Sequence, residues 1–215
     1  MLPNLLQSIT DRILYRRGYF RMVDATSARS APAMAKSIVD VFAPRRVVDY
    51  GCGTGSLLEA LRSLGVEVAG TEYSRLARRI CEGRGLKPLS VDLRTPPAMP
   101  PLGRADVTVS FEVAEHLPAA AADGFVALLA STAPVAVFSA ATPGQGGQGH
   151  LNEQPHEYWT EKFARQGMAY EQERSLAFRK SWQAAGVDFW YADNAMVFGH
   201  PADIGVLGGS DHASC

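Results

Sequence analysis

The chain has 215 residues, enough for one domain with a substantial core, and its 47% hydrophobic and 20% charged residues are the proportions of an ordinary globular protein. Its 21 basic and 22 acidic residues leave no electrostatic footprint for DNA and disfavour RNA as a partner. Three cysteines at unrelated spacings, Cys52, Cys81 and Cys215, read as free thiols of a reducing cytoplasm and exclude a disulfide or zinc framework.

At the start of the chain, Leu2, Leu5, Leu6, Ile9, Ile13 and Leu14 recur at helical spacing, which predicts an amphipathic helix packed on the domain or a partner. Asp11 and Arg12 interrupt the apolar stretch before a membrane span or signal-peptide core is complete. A second helix is expected over 32–42, with Pro32 in its first turn and Pro44 beyond its end. Residues 1–43 therefore read as a helical cap, 44–200 as the main domain and 201–215 as a disordered tail.

From Val47 onward strands and helices alternate. Strands are expected at 47–50, 66–70, 88–91, 105–111 and 135–139, with helices at 56–64, 74–82 and 119–130. The linker 94–103 carries four prolines and suits neither a helix nor a central strand. Later come a helix at 158–166, a short strand at 169–172, a helix at 176–184 and a long last strand at 187–198. Short apolar strands in βαβα order predict a mostly parallel, seven-stranded sheet with helices on both faces and an antiparallel last strand.

Chemistry concentrates at the ends of these strands. The run VVDYGCGTG places Asp49 before Gly51, Gly53 and Gly55, a strand entering a tight glycine turn and then a helix. A dinucleotide fingerprint would need glycine where Ser56 stands, so the turn suits a different nucleotide-like ligand. Glu72 follows at the separation where a carboxylate meets ribose hydroxyls, and Asp92 ends the next strand on the same edge of the sheet. Phe111 and Glu112 close the fourth strand, and Glu115 and His116 follow in the run EVAEHLP. A histidine suits proton removal because its unperturbed pKa lies near neutrality. After the fifth strand, a glycine-rich loop runs into His150, Asn152 and His156, the composition of a mobile lid over an acceptor.

Joined at these spacings, the glycine run, Glu72 and the EVAEHL run resemble the class I S-adenosylmethionine-dependent methyltransferases, Rossmann-like enzymes, over 47–198. The resemblance implies S-adenosylmethionine as cofactor, held by Asp49, Gly51, Cys52, Gly53, Gly55, Glu72, Tyr73, Asp92, Leu93, Phe111 and Glu112. Within it Asp92 would accept from the adenine amino group, with Leu93 beside the ring. It further implies O-methylation of a small hydroxylated metabolite or sugar, with His116 as candidate general base beside Glu115, and acceptor contacts from Tyr19, His150, Asn152 and His156. The N-terminal helices, with Tyr15, Tyr19 and Phe20, would close over the site. Glu112, Glu115, His116 and His156 also resemble the divalent-metal cluster of small-RNA 3′-terminal ribose methyltransferases. That is the second alternative, with the metal not favoured, and a non-catalytic binding subunit of the same fold is the third. A cytoplasmic monomer or homodimer with no membrane partner completes the expectation.

Overall fold

The structure is a computed structural model and describes residues 17–200. The amphipathic segment at 2–14, Tyr15, the side chain of Tyr19 and the tail at 201–215 lie outside the described residues. The elements run α1 (Arg17–Phe42), β1 (Arg46–Tyr50), α2 (Ser56–Ser63), β2 (Glu67–Thr71), α3 (Arg75–Gly83) and β3 (Val107–Phe111). Two short turns of 3-10 helix, Ala114–His116 and Ala119–Ala121, lead into α4 (Ala122–Thr132) and β4 (Val135–Ser139). The chain ends α5 (His156–Arg165), β5 (Ala169–Tyr170), α6 (Gln172–Ala184), α7 (Phe189–Ala192) and β6 (Met196–Gly199).

One sheet orders these strands β2-β1-β3-β4-β6-β5. Pairings among β2, β1, β3 and β4 are parallel, whereas β6 runs antiparallel to both β4 and β5. Strand side chains alternate between two covered faces, as period-two pleating requires. Val48, Tyr50, Ala136 and Phe138 enter one core with Phe125, Leu129, Trp159 and Phe163 from α4 and α5. Val47, Val107, Val109, Val135 and Val137 enter the other with Ile38 and Phe42 of α1 and Phe178 and Trp182 of α6. Burial on both faces is why these strands read as continuous apolar runs.

Three expected elements differ. The sheet has six strands among the described residues, because the strand expected at 88–91 shrinks to a single bridge, Leu89 beside Thr71. Pairing is confined to Leu89 N to Gly70 O at 2.9 Å and Glu72 N to Leu89 O at 3.0 Å, and the chain already turns at Asp92, whose O accepts from Thr95 N at 3.2 Å. The helix expected to begin at Pro32 belongs to one 26-residue helix, with Pro32 in its interior. The long last strand divides into α7 and β6. Asp188 is held by α1, where Arg29 Nη2 donates to Oδ1 at 2.8 Å and Ser30 Oγ to Oδ2 at 3.0 Å. That anchor lifts the following aromatic residues out of the sheet, a tertiary contact overriding β propensity. No helix among the described residues is long and apolar enough to cross a membrane.

Candidate active site

The carboxyl ends of β1, β2 and β3 open onto a cavity of about 650 Å³, closed on the other sides by α1, α7 and the loop at 145–151. Its first wall is the glycine turn. Gly51 N and Cys52 N both donate to Thr71 O, at 3.0 and 2.9 Å, and tie the turn to β2. A Cβ on Gly51 would sit 2.6 Å from Val113 Cγ2, and one on Gly55 would sit 2.7 Å from Leu86 Cδ1. Those two glycines make room for packing, and Gly55 lies behind the cavity wall. Gly53 differs: its φ is +54° and a Cβ there would meet nothing within 4 Å. The backbone at Gly53 is the open point where a ligand can lie.

Two carboxylates face this turn. Glu72 accepts from Gly53 N at 3.0 Å and from Ser74 N at 2.6 Å, and burial pushes its pKa up to about 7. Asp49 is almost fully buried, and burial, with the Glu72 charge behind it, raises its pKa to about 8. Asp92 is differently engaged. Arg94 donates to it from Nε at 2.9 Å, Nη2 at 2.8 Å and the backbone N at 3.0 Å, which holds its carboxyl below the usual range. The same guanidinium lies 4.9 Å from the centre of the Tyr73 ring, and Tyr73, Arg94 and the buried Leu93 line the same end of the cavity. Cys52 lines it too, its thiol pushed well up by its hydrogen bond with Cys81 and by burial.

The adjoining wall follows β3, the neighbour of β1 in the sheet. Glu112 adopts a positive φ of 53°, uncommon for a residue with a Cβ, which turns the chain sharply after Phe111. Its carboxylate accepts from Gln145 Nε2 at 2.9 Å and Asn194 Nδ2 at 3.4 Å, while Asn194 also donates to Gln145 Oε1 at 2.7 Å. Glu115 is wholly buried, and neither carboxylate oxygen has a partner of hydrogen-bond geometry among the described residues. Burial raises both acids, and for Glu115 the Glu112 charge adds to it. His116 Nδ1 lies 3.3 Å from Gly149 O, and its ring meets that of His150 edge-on at 4.9 Å. Burial, and then the nearby His150, lowers His116 to about 4, so it is neutral at pH 7, the state in which an imidazole can accept a proton. One ligand atom from each of Glu115, His116 and His150 falls within 4.8 Å of the others.

Glu153 organises the loop that brings His150 there. It accepts from Gly144 N and Gly146 N, each at 2.9 Å, and from His150 Nδ1 at 2.7 Å. Two other expected acceptor contacts fall elsewhere. Asn152 is buried behind the loop, its N donating to Glu115 O at 3.0 Å and its Oδ1 accepting from Gln154. His156 starts α5 and contacts Arg179 Nη2 at 3.2 Å, on a separate small groove with Tyr170 and Leu176. Neither lines the cavity. Sequence reasoning missed Gln145, Phe189, Trp190 and Tyr191, which do. The aromatic trio read as a strand, and only its anchor to α1 reveals otherwise.

Comparison with known proteins meets this geometry. A family described as a methyltransferase domain matches residues 18–191, most of the chain. The chain belongs to that family. It is an S-adenosylmethionine-dependent methyltransferase of class I. The ubiquinone biosynthesis O-methyltransferase of Bordetella avium is 34% identical over 79 residues, 34% of this chain and 33% of that protein. The match thus spans about a third of the length of that curated relative. Among solved structures, a TehB-like SAM-dependent methyltransferase from Corynebacterium glutamicum is 20% identical with a TM-score of 0.59, covering 78% of this chain and 87% of that one. A magnesium protoporphyrin IX methyltransferase from Synechocystis with bound SAH is 21% identical with a TM-score of 0.54, covering 71% and 74%. At these identities the solved structures show the fold.

The cofactor of the methyltransferase is S-adenosylmethionine, whose sulfonium supplies an electrophilic methyl group. The residues present suit such a group. Gly53 leaves the backbone bare, and the Glu72 and Asp49 carboxylates face the turn to receive hydroxyl or ammonium donors.

Proposed function

We propose that the methyltransferase transfers its methyl group to a hydroxyl oxygen of a small molecule bound between the β3 wall and α7, with His116 accepting the hydroxyl proton. Cofactor contacts in this reading come from Asp49, Gly51, Cys52, Gly53, Glu72, Tyr73, Asp92 and Leu93, and α1 acts as the cap. A single observation carries it: the glycine cradle and His116 line one cavity. Proximity of cofactor and proton acceptor is what an in-line displacement needs. The Bordetella avium relative, a ubiquinone biosynthesis O-methyltransferase, supports the choice of oxygen. The experiment is release of S-adenosylhomocysteine across a panel of hydroxylated small molecules by the wild type and by His116→Ala. The variant should retain S-adenosylhomocysteine affinity and lose about 100-fold or more in turnover. Wild-type turnover in the variant would remove His116 from the chemistry.

The orphaned Glu115 carboxylate favours a second form of the same reaction. Glu115, His116 and His150 could hold a divalent ion, with oxygen and imidazole ligands of suitable type. His116 would then serve as a ligand, and the ion would activate the hydroxyl. His150, not the expected His156, supplies the second imidazole, so the likeness to the RNA 3′-terminal enzymes weakens at that residue. Turnover indifferent to a strong chelator, with no calorimetric binding of Mn²⁺, rejects the ion and leaves His116 as the base.

A further inference from the structure

Between α1 and α7 the cavity wall is largely apolar, lined by Phe20, Met22, Phe111, Phe189, Trp190 and Tyr191, whereas the carboxylates belong to the glycine turn and to the residues that follow β2 and β3. Few hydrogen-bonding side chains stand in that apolar part: Thr26 Oγ1 donates to backbone carbonyls of its own helix, and Ser27 Oγ pairs with the Tyr191 hydroxyl at 3.3 Å. A polyhydroxylated ligand such as a sugar would bury more hydroxyls there than these groups can pair.

The same wall is preorganised. Ser30 Oγ donates to Asp188 Oδ2 at 3.0 Å and accepts from Asp188 N at 3.1 Å, a reciprocal pair that fixes the start of α7 on α1. Tyr191 packs edge-on against Phe111 with ring centres 6.4 Å apart, and Trp190 stands at 62° to Tyr191. Rings packed edge to face in this way present a fixed apolar wall to the cavity, against which a flat apolar body can lie. At its rim, Met22 and Phe189 are each 59% exposed, large apolar side chains left facing solvent beside an apolar opening.

We infer that the methyl acceptor is an aromatic hydroxyl compound with few other polar groups, its ring held by the Phe111–Trp190–Tyr191 wall and its hydroxyl toward His116, with Trp190 a specificity-determining residue. This rests on the O-methylation reading and narrows its acceptor from hydroxylated metabolites in general to aryl hydroxyls.

The protein, saturated with S-adenosylhomocysteine, is titrated by calorimetry with 4-nitrophenol and with methyl glucoside. Trp190 is half-buried on the cavity wall. Binding of 4-nitrophenol that weakens about tenfold in Trp190→Ala and is kept in Trp190→Phe, with no binding of the glucoside, is expected. Binding of the glucoside without the phenol, or phenol binding unchanged in Trp190→Ala, overturns the inference. Failure of S-adenosylhomocysteine itself to bind strikes the cofactor cradle. Cofactor binding without phenol binding strikes only the acceptor class.

Discussion

The backbone N–H of Gly53 donates to Glu72 Oε2 at 3.0 Å. The open point of the glycine turn and the acid at the end of β2 are therefore one unit, and a ligand that engages the Glu72 carboxylate must also lie against the turn. In Glu72→Gln, the side-chain amide must direct its NH₂ toward either Gly53 N or Ser74 N, so one bond is lost in either orientation. The cofactor in turn meets a neutral amide where it would have met a charged acceptor, a hydrogen bond worth about 1.5–3 kcal/mol. S-Adenosylhomocysteine affinity measured by calorimetry should fall about 10- to 100-fold. Unchanged affinity would show that the cofactor does not use Glu72.

The glycines of the turn separate by substitution. Gly53→Trp projects into open cavity, so its cost to folding is the left-handed backbone, about 1–2 kcal/mol, or a few degrees in Tm for a domain of this size. Cofactor binding should nonetheless vanish, because the indole occupies the ligand's place. Gly51→Ala forces its methyl to within 2.6 Å of Val113 Cγ2 and should lower Tm through packing. A Gly53→Trp protein that folds and still binds the cofactor tightly contradicts the cradle.

What the sequence made legible follows from periodicity and backbone chemistry. Strand positions such as Val47, Val48, Val135 and Val137 are apolar on both faces because both faces are covered, so their runs announce themselves. Glycines at 51, 53 and 55 announced the turn in the same way, and all three have positive φ. Illegible parts depend on partners distant in the chain. Asp188 sits 158 residues from Ser30, and no local pattern says that their pairing turns 189–192 into a helix and its rings into a cavity wall. His156 carries the chemistry expected of an acceptor contact, yet Arg179, on a different helix, holds it in a separate groove.

The buried carboxylates give the protein opposite pH responses with and without cofactor. Asp49 and Glu72 titrate near 8 and 7 in the folded chain, above their ordinary values of 3.8 and 4.5. A group whose pKa is raised by folding stabilises the fold at low pH and loses that contribution as pH rises through the folded value. From pH 6.5 to 9, a window in which His116 stays neutral, the Tm of the unliganded protein should decline. Cofactor binding calls on the ionised carboxylates, so S-adenosylhomocysteine affinity should rise about tenfold or more over the same interval. Asp49→Asn should flatten the upper part of both curves. Affinity that falls with pH would mean that the cofactor binds the protonated acids.

Glu153 offers the sharpest test of how the loop is held. Its carboxylate gathers Gly144 N, Gly146 N and His150 Nδ1, and the His150 hydrogen bond, ahead of the Gly144 one, keeps it below the usual carboxylate range. Removing the side chain in Glu153→Ala releases two backbone donors and one imidazole at once, while the cores beneath are untouched. Hydrogen exchange at 144–150 should therefore quicken about tenfold with little change in Tm, as expected for a local opening that bypasses global unfolding. The His150 ring would also lose its fixed approach to His116, so metal or acceptor binding that depends on that approach should weaken while cofactor affinity holds. Exchange at 144–150 as slow as in the wild type would show that Gln145, through Glu112 and Asn194, suffices to hold the loop, and would move the organising role from Glu153 to that network.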